Sequence, residues 1–129
     1  MNGILLDTNA ALFALVAPER LSNSAKRTIA AGPNVLSVVS YWEVLLKSMK
    51  GKLDVGDPRK WWEDALEELA ATPLLLRPQH VSGVHTLAHH HKDPFDRMLL
   101  AQAMVEGLVL VTSDEEMAGY ASKSLRIVR

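Results

Sequence analysis

Cysteine is absent from the 129 residues, which removes disulfides, thiolate zinc centres, iron-sulfur clusters and cysteine nucleophiles together. That absence suits a reducing compartment. Neither sign of charge is in excess, with 14 basic and 15 acidic residues, so a basic nucleic-acid wrapper and an acidic disordered tail are both disfavoured. A balanced surface still permits RNA as a substrate. No uninterrupted apolar run approaches the roughly 18 residues that span a membrane, and no basic region precedes one near Met1. The expectation is a soluble, cytoplasmic protein with no membrane partner. Also missing are the Gly-x-x-x-x-Gly-Lys and Gly-x-Gly-x-x-Gly loops that cradle nucleotide phosphates, and the Gly-x-Ser-x-Gly elbow of serine hydrolases.

What is present suits one compact domain over residues 1–129, because 48% of the chain is apolar and a chain of this size buries roughly two-thirds of its unfolded surface. Ile4-Leu5-Leu6 reads as a buried strand that runs into Asp-Thr-Asn, a helix start. Ser22 caps a helix that Gly32-Pro33 stops, Val35 to Val38 is a second strand, and Ser40 opens a helix to about Lys50. Asp57-Pro58 opens an amphipathic helix with Trp61, Trp62, Ala65, Leu66 and Leu69 on one face. A third strand is expected at Pro73–Leu76 and a helix from about Gln79 to His89. Pro94 begins a nearly all-apolar, central helix that ends at Gly107, followed by a strand at Leu108–Thr112, a short helix from Glu115 and a final strand at Leu125–Val128. Apolar strands separated by helices call for a three-layer α/β/α sandwich around a parallel sheet.

Ligands of open parallel sheets bind beyond the carboxyl ends of the strands. Asp7 directly follows a strand there and Asp114 follows another after Thr112-Ser113, while Glu43 and Asp96 fall in the first turns of helices whose N-termini would face the same edge. Each acid also has a local explanation. Ser40-Tyr41-Trp42-Glu43 has capping-box spacing, and Asp7, Asp93 and Asp114 can each cap a helix. Caps do not explain several anions meeting at one edge, because such carboxylates repel and raise one another's pKa unless a cation neutralises them. A hard divalent ion, Mg²⁺ or Mn²⁺, is the matching cofactor, and phosphodiester hydrolysis the reaction class it serves.

These residues resemble the PIN-domain ribonucleases, and among them the VapC toxins of toxin-antitoxin pairs. The similarity runs through Ile4-Leu5-Leu6-Asp7-Thr8-Asn9, Ser40-Tyr41-Trp42-Glu43-Val44, His91-Lys92-Asp93-Pro94-Phe95-Asp96-Arg97 and Leu110-Val111-Thr112-Ser113-Asp114. The resemblance implies that Asp7, Glu43, Asp96 and Asp114 are a catalytic quartet holding Mg²⁺ or Mn²⁺. Thr8, Asn9 and Thr112 match polar positions near that site, and Asp93 is either an outer group of the metal site or, as favoured here, the cap before Pro94. It further implies an endoribonuclease acting on tRNA or ribosomal RNA, a homodimer, and a cognate VapB-like antitoxin as partner.

Other residues carry two readings. Lys47, Lys50 and Lys52 either contact phosphates or form a solvated face with a Glu43-Lys47 pair. Arg97 binds phosphate or orients a carboxylate. His85, His89, His90 and His91 lack the His-Glu-x-x-His pattern and read as a solvent-facing helix end and loop rather than a transition-metal site. Trp61 and Trp62 belong to packing, or to a groove for antitoxin or a second copy, more than to base stacking. Two other classes stand as alternatives: a PIN-fold binding module without catalysis, and a Mg-dependent phosphatase-like domain, which lacks a second acid at Asn9.

Overall fold

The computed structural model describes residues 3–89 and 91–129; His90, one of the loop histidines, lies outside them. Strands β1 (Ile4–Leu6), β2 (Asn34–Ser37), β3 (Ala71–Leu74), β4 (Val109–Val111) and β5 (Ile127–Val128) form one sheet in the order β3-β2-β1-β4-β5. Every pairing is parallel, with Leu5 of β1 opposite Val35 on one side and Leu110 on the other. Helices α1 (Thr8–Val16), α2 (Asn23–Ala31), α3 (Val38–Met49), α4 (Pro58–Glu68), α5 (Pro78–Val84), α6 (Pro94–Glu106) and α7 (Glu115–Ala118) cover it.

Strand alternation divides the core into two. Leu5 and Leu110 point to a cluster with Leu99, Leu100, Ala103, Met117 and Leu125, under α6 and α7. Ile4, Leu6, Leu36 and Val111 point the other way, to Ala10, Ala11, Ala25, Ala65 and Leu69 of α1, α2 and the α4 region. The expected three-layer sandwich is therefore the observed one. Helix α3 ties the layers together through adjacent aromatic rings: Tyr41 stacks on Trp62 of α4 at 5.0 Å, and Trp42 meets Phe95 of α6 edge-on at 5.0 Å. Trp61 and Trp62 are partly buried against the second cluster, as packing residues.

The last two strands are shorter than expected, β4 without Leu108 and Thr112 and β5 without Leu125 and Arg126, and three other boundaries differ for a physical reason. Helix α3 starts at Val38 with Ser37, not Ser40, as its cap, because the Ser37 hydroxyl accepts from Val39 N–H at 3.0 Å. Since β2 ends by turning into that cap, Leu74 is the last residue of β3 with a partner. Leu75 and Leu76, expected in the strand, are 65% and 44% exposed. Helix α5 stops at Val84, because the carbonyls of Val84, Leu87 and Ala88 are taken by the Arg97 guanidinium.

Beneath α5 a buried polar chain links the end of β2 to α6 and α5. Ser37 Oγ donates to Gln102 Oε1, and the Gln102 amide nitrogen lies 3.3 Å from His80 Nδ1. Nδ1 also accepts from Arg77 N–H at 3.0 Å, so the ring proton sits on Nε2, which donates to Glu106 Oε2 at 2.7 Å. His80 is fully buried. His80→Phe removes the acceptor of Arg77 N–H and the buried donor to Glu106, which keeps only Arg77 at 3.2 Å, and is expected to cost about 1–3 kcal/mol, read as a lower midpoint in urea unfolding with an unchanged slope.

Candidate active site

The connections from β1 and β4 leave in opposite directions, to β2 and to β5, and open a crevice between those two neighbouring strands at their carboxyl ends. Asp7 and Asp114 stand on its two sides. Asp7 is 3% exposed. It caps α1 by accepting from Ala10 N–H at 2.7 Å through Oδ1, and its Oδ2 accepts from the Thr112 hydroxyl at 2.5 Å across the crevice. Thr112 Oγ1 in turn accepts from Asp114 N–H at 2.9 Å, so one hydroxyl fixes both walls. Asp114 caps α7 through Oδ1 to Glu116 N–H at 2.8 Å, which leaves Oδ2 turned toward the site.

Asp96 enters from the first turn of α6, whose N-cap is Asp93, accepting from Phe95 and Asp96 N–H at 2.9 and 3.1 Å. The cap role favoured for Asp93 is the observed one. Glu43 lies in the second turn of α3, six residues past its cap, so it takes no part in a capping box. Its Oε2 pairs with Lys47 Nζ at 2.9 Å, the i,i+4 arrangement. Its Oε1 is buried with no hydrogen-bond partner among the described residues.

The charges of these acids act on one another. Burial pushes the Asp7 carboxyl from 3.8 up to about 6, against the Thr112 and Ala10 hydrogen bonds and with help from the charges of Asp96 and Asp114. Burial likewise raises Asp96 to about 6, opposed by the His91 hydrogen bond and reinforced by Asp93 and Glu43. Lys47 is held above its usual range by its hydrogen bond to Glu43, against burial, and by the charges of Glu43, Asp93 and Asp96. Four acids at one rim, two of them reluctant to ionise, leave a deficit of positive charge.

The chemistry of the donor set fits a divalent cation. Buried carboxylates with raised pKa values, together with an orphaned buried oxygen on Glu43, are what a hard ion satisfies.

One residue, His91, belongs to this site although the sequence reading placed it outside. His91 is not a solvent-facing loop residue. Its Nε2 is 2.6 Å from Asp96 Oδ2 and 3.7 Å from Asp114 Oδ2, and its Nδ1 is 3.0 Å from Glu116 Oε2. Burial works against its charge, but the hydrogen bond to Asp96 and the charges of Asp96, Asp114 and Glu116 raise its pKa overall. His85 and His89 are exposed, as expected. The remaining candidates separate. Thr112 orients Asp7, whereas the Thr8 hydroxyl donates to Ser40 Oγ at 2.9 Å and joins α1 to α3, and Asn9 is exposed. Arg97 neither binds phosphate nor orients Asp96, because it is buried and donates to the main chain: Ala88 O at 2.7 Å, Val84 O and His91 O at 3.2 Å, Leu87 O at 3.5 Å, and the Tyr120 hydroxyl at 3.3 Å.

The chain is similar to a protein named Ribonuclease VapC22 from Mycobacterium tuberculosis (strain ATCC 25618 / H37Rv), 26% identical over 121 residues that cover 93% of each chain. A toxin-antitoxin complex from Klebsiella pneumoniae contains a chain with the same fold, at TM-score 0.63 and 21% identity, covering 95% of this chain and 94% of that one. VapBC2 from Rickettsia felis, bound to a DNA fragment from its promoter, contains another at TM-score 0.65 and 14% identity, covering 97% and 96%. Residues 4–123 match the PIN domain model, and with that span and this sheet the chain belongs to the PIN domain family.

Proposed function

We propose that this protein is an Mg²⁺- or Mn²⁺-dependent endoribonuclease and the toxin of a type II toxin-antitoxin pair. The observation that carries the reading is the meeting of Asp7, Glu43, Asp96 and Asp114 at the β1–β4 crevice, with Glu43 Oε1 buried and without a hydrogen-bond partner among the described residues. Asp7, Asp96 and Asp114 hold the ion and Glu43 completes its charge. A divalent ion bound there supplies a water of lowered pKa and offsets charge on the phosphoryl centre. The chain's own groups do the positioning: Thr112 holds the Asp7 carboxylate still, and the N-termini of α1, α6 and α7 stabilise the anions that cap them. Lys50 and Lys52, both exposed beyond Lys47, are placed to meet RNA phosphates.

The partner reading rests on the relatives. Solved structures of the same fold are toxin-antitoxin complexes, and the cognate partner here is a VapB-like antitoxin that covers the acidic crevice. An apolar depression of about 150 Å³ lined by Val39, Trp42, Leu76, Pro94, Phe95 and Met98 lies beside the first turn of α6 and suits an apolar side chain of such a partner. The same reading makes the protein a cytoplasmic homodimer acting on tRNA or ribosomal RNA. No described helix is long and apolar enough to cross a membrane.

Cleavage of total cellular RNA by wild type and Asp96→Asn, prepared identically, tests the activity. Discrete products from the wild type with Mn²⁺ or Mg²⁺, none with EDTA and none from the variant, are expected. Equal products from both proteins would assign the cleavage to a contaminant and return the fold to a binding role.

A further inference from the structure

We propose that His91 is a nitrogen ligand of the ion held by Asp96 and Asp114, and that it shifts the site's preference from Mg²⁺ toward first-row transition ions such as Mn²⁺. The inference rests on the metal-dependent reading above and goes beyond its all-carboxylate ligand set.

Geometry is the first support. One donor atom from each of His91, Asp96 and Asp114 lies within 4.8 Å of the other two. An ion with bonds of roughly 2.0–2.6 Å is reached from such a triangle by small side-chain movements. The second support is the other ring nitrogen. A ligating histidine generally donates its remaining N–H to a carboxylate or carbonyl, which fixes the tautomer and aims the lone pair. His91 Nδ1 has that partner in Glu116 Oε2 at 3.0 Å, leaving Nε2 as the atom that faces Asp96 and Asp114.

The main chain around His91 is also pinned. Its N–H donates to the Tyr120 hydroxyl at 2.7 Å, and its carbonyl accepts from Arg97 at 3.2 Å. Glu43 gives an independent sign of a ligand at the same cluster. It is 5% exposed, its Oε1 has no hydrogen-bond partner among the described residues, and its charge is felt by Asp96.

The chemistry sets the preference. Mg²⁺ demands oxygen ligands and keeps most of its waters, whereas imidazole nitrogen adds affinity for transition ions. The competing role for His91 is that of a cation neutralising the acids, and it predicts no bond from nitrogen to the ion.

The test uses Mn²⁺ alone as probe, with the full chain. Electron paramagnetic resonance should detect bound Mn²⁺, and pulsed measurements should show ¹⁴N modulation from a coordinated imidazole. In protein labelled with [¹⁵N]histidine the modulation must move to ¹⁵N frequencies, a result that needs no variant. His91→Asn should lose the modulation and bind Mn²⁺ at least about tenfold more weakly, while Mg²⁺ affinity, read by competition, changes far less. Bound Mn²⁺ that is lost in Asp7→Asn but carries no ¹⁴N modulation, or modulation that survives His91→Asn, overturns the proposal and leaves the carboxylate site standing. Absence of Mn²⁺ binding in the wild type, or binding undiminished in both Asp7→Asn and Asp96→Asn, removes the acidic metal site itself.

Discussion

Asp7→Asn is expected to slow RNA cleavage at least about 1000-fold while raising the melting temperature of the metal-free protein at about pH 7.5. Both effects have one origin. The carboxyl is 3% exposed, and burial holds it at about 6 in the folded chain. The unfolded chain carries an ordinary carboxyl, so between about pH 4 and 6 the folded protein binds more protons. Stability therefore falls as pH rises through that window, and the cost is fully present above it. For Asp7 alone the shift corresponds to about 3 kcal/mol.

Asp96, raised for the same first reason, and His91, whose charged form is stabilised by its acidic neighbours, move in the same direction. Each favours the protonated, low-pH protein. Asparagine at position 7 keeps the cap on Ala10 N–H and removes the buried charge. It loses an acceptor for the Thr112 hydroxyl, a counter-cost of about 1 kcal/mol, and the net gain amounts to several degrees.

Calorimetry in EDTA should show the gap between the variant and the wild type opening near pH 7.5 and closing near pH 5. A variant that melts below the wild type at the higher pH would mean that the metal-free fold already compensates Asp7, and the shared anionic site would fall with that result. The kinetic loss follows because charge stabilisation by a bound ion is worth several kcal/mol, and about 1.4 kcal/mol is tenfold in rate.

The second large effect belongs to Arg97, which does no chemistry. Its guanidinium serves four main-chain carbonyls and the Tyr120 hydroxyl in a buried position. Arg97→Ala takes this donor from the Leu87 and His91 carbonyls, leaves those of Val84 and Ala88 with Leu87 N–H and the Tyr120 hydroxyl, and is expected to cost about 2–4 kcal/mol. Arg97→Lys should recover only a small part, because an ammonium offers three donors from a single point where the guanidinium offers five in a plane. Urea unfolding of the three proteins measures this directly. An alanine variant within about 1 kcal/mol of wild type would show that water replaces the guanidinium, and the clamp would lose its structural role.

Much of this architecture is legible in the sequence because its signals are local. Ile4-Leu5-Leu6 before Asp7, Ser22 with Gly32-Pro33, and Asp93-Pro94 with Gly107 each contain the residues that start or stop an element. What is not legible depends on partners far along the chain. Ser37 and Ser40 are equally good caps on paper. The choice falls to Ser37 because β2 ends there, while its hydroxyl reaches Gln102 and that of Ser40 reaches Thr8. His91 stands in the motif around Asp96, yet its role is not readable there, since Asp114 and Glu116 come to it only when the end of the chain closes. Arg97 was open to a better reading: successive residues on a helix do not share a face, so a neighbour of Asp96 is turned away from whatever Asp96 serves. The acids themselves were legible because strand ends and helix starts fix their edge, although their common neighbourhood needed the β1–β4 pairing.

That pairing has a consequence for the order in which the protein comes into being. The hydroxyl of Thr112 meets Asp7 across 105 residues of sequence, and β4 supplies the second wall of the crevice. A ribosome that has released everything as far as α5 has exposed Asp7 and Glu43, yet β1 has only β2 beside it and Asp7 still lacks its tether. Contacts this distant in sequence form late and slowly. A site built this way cannot assemble while the chain is still being made: its first acid waits for its last, until the fourth strand is free.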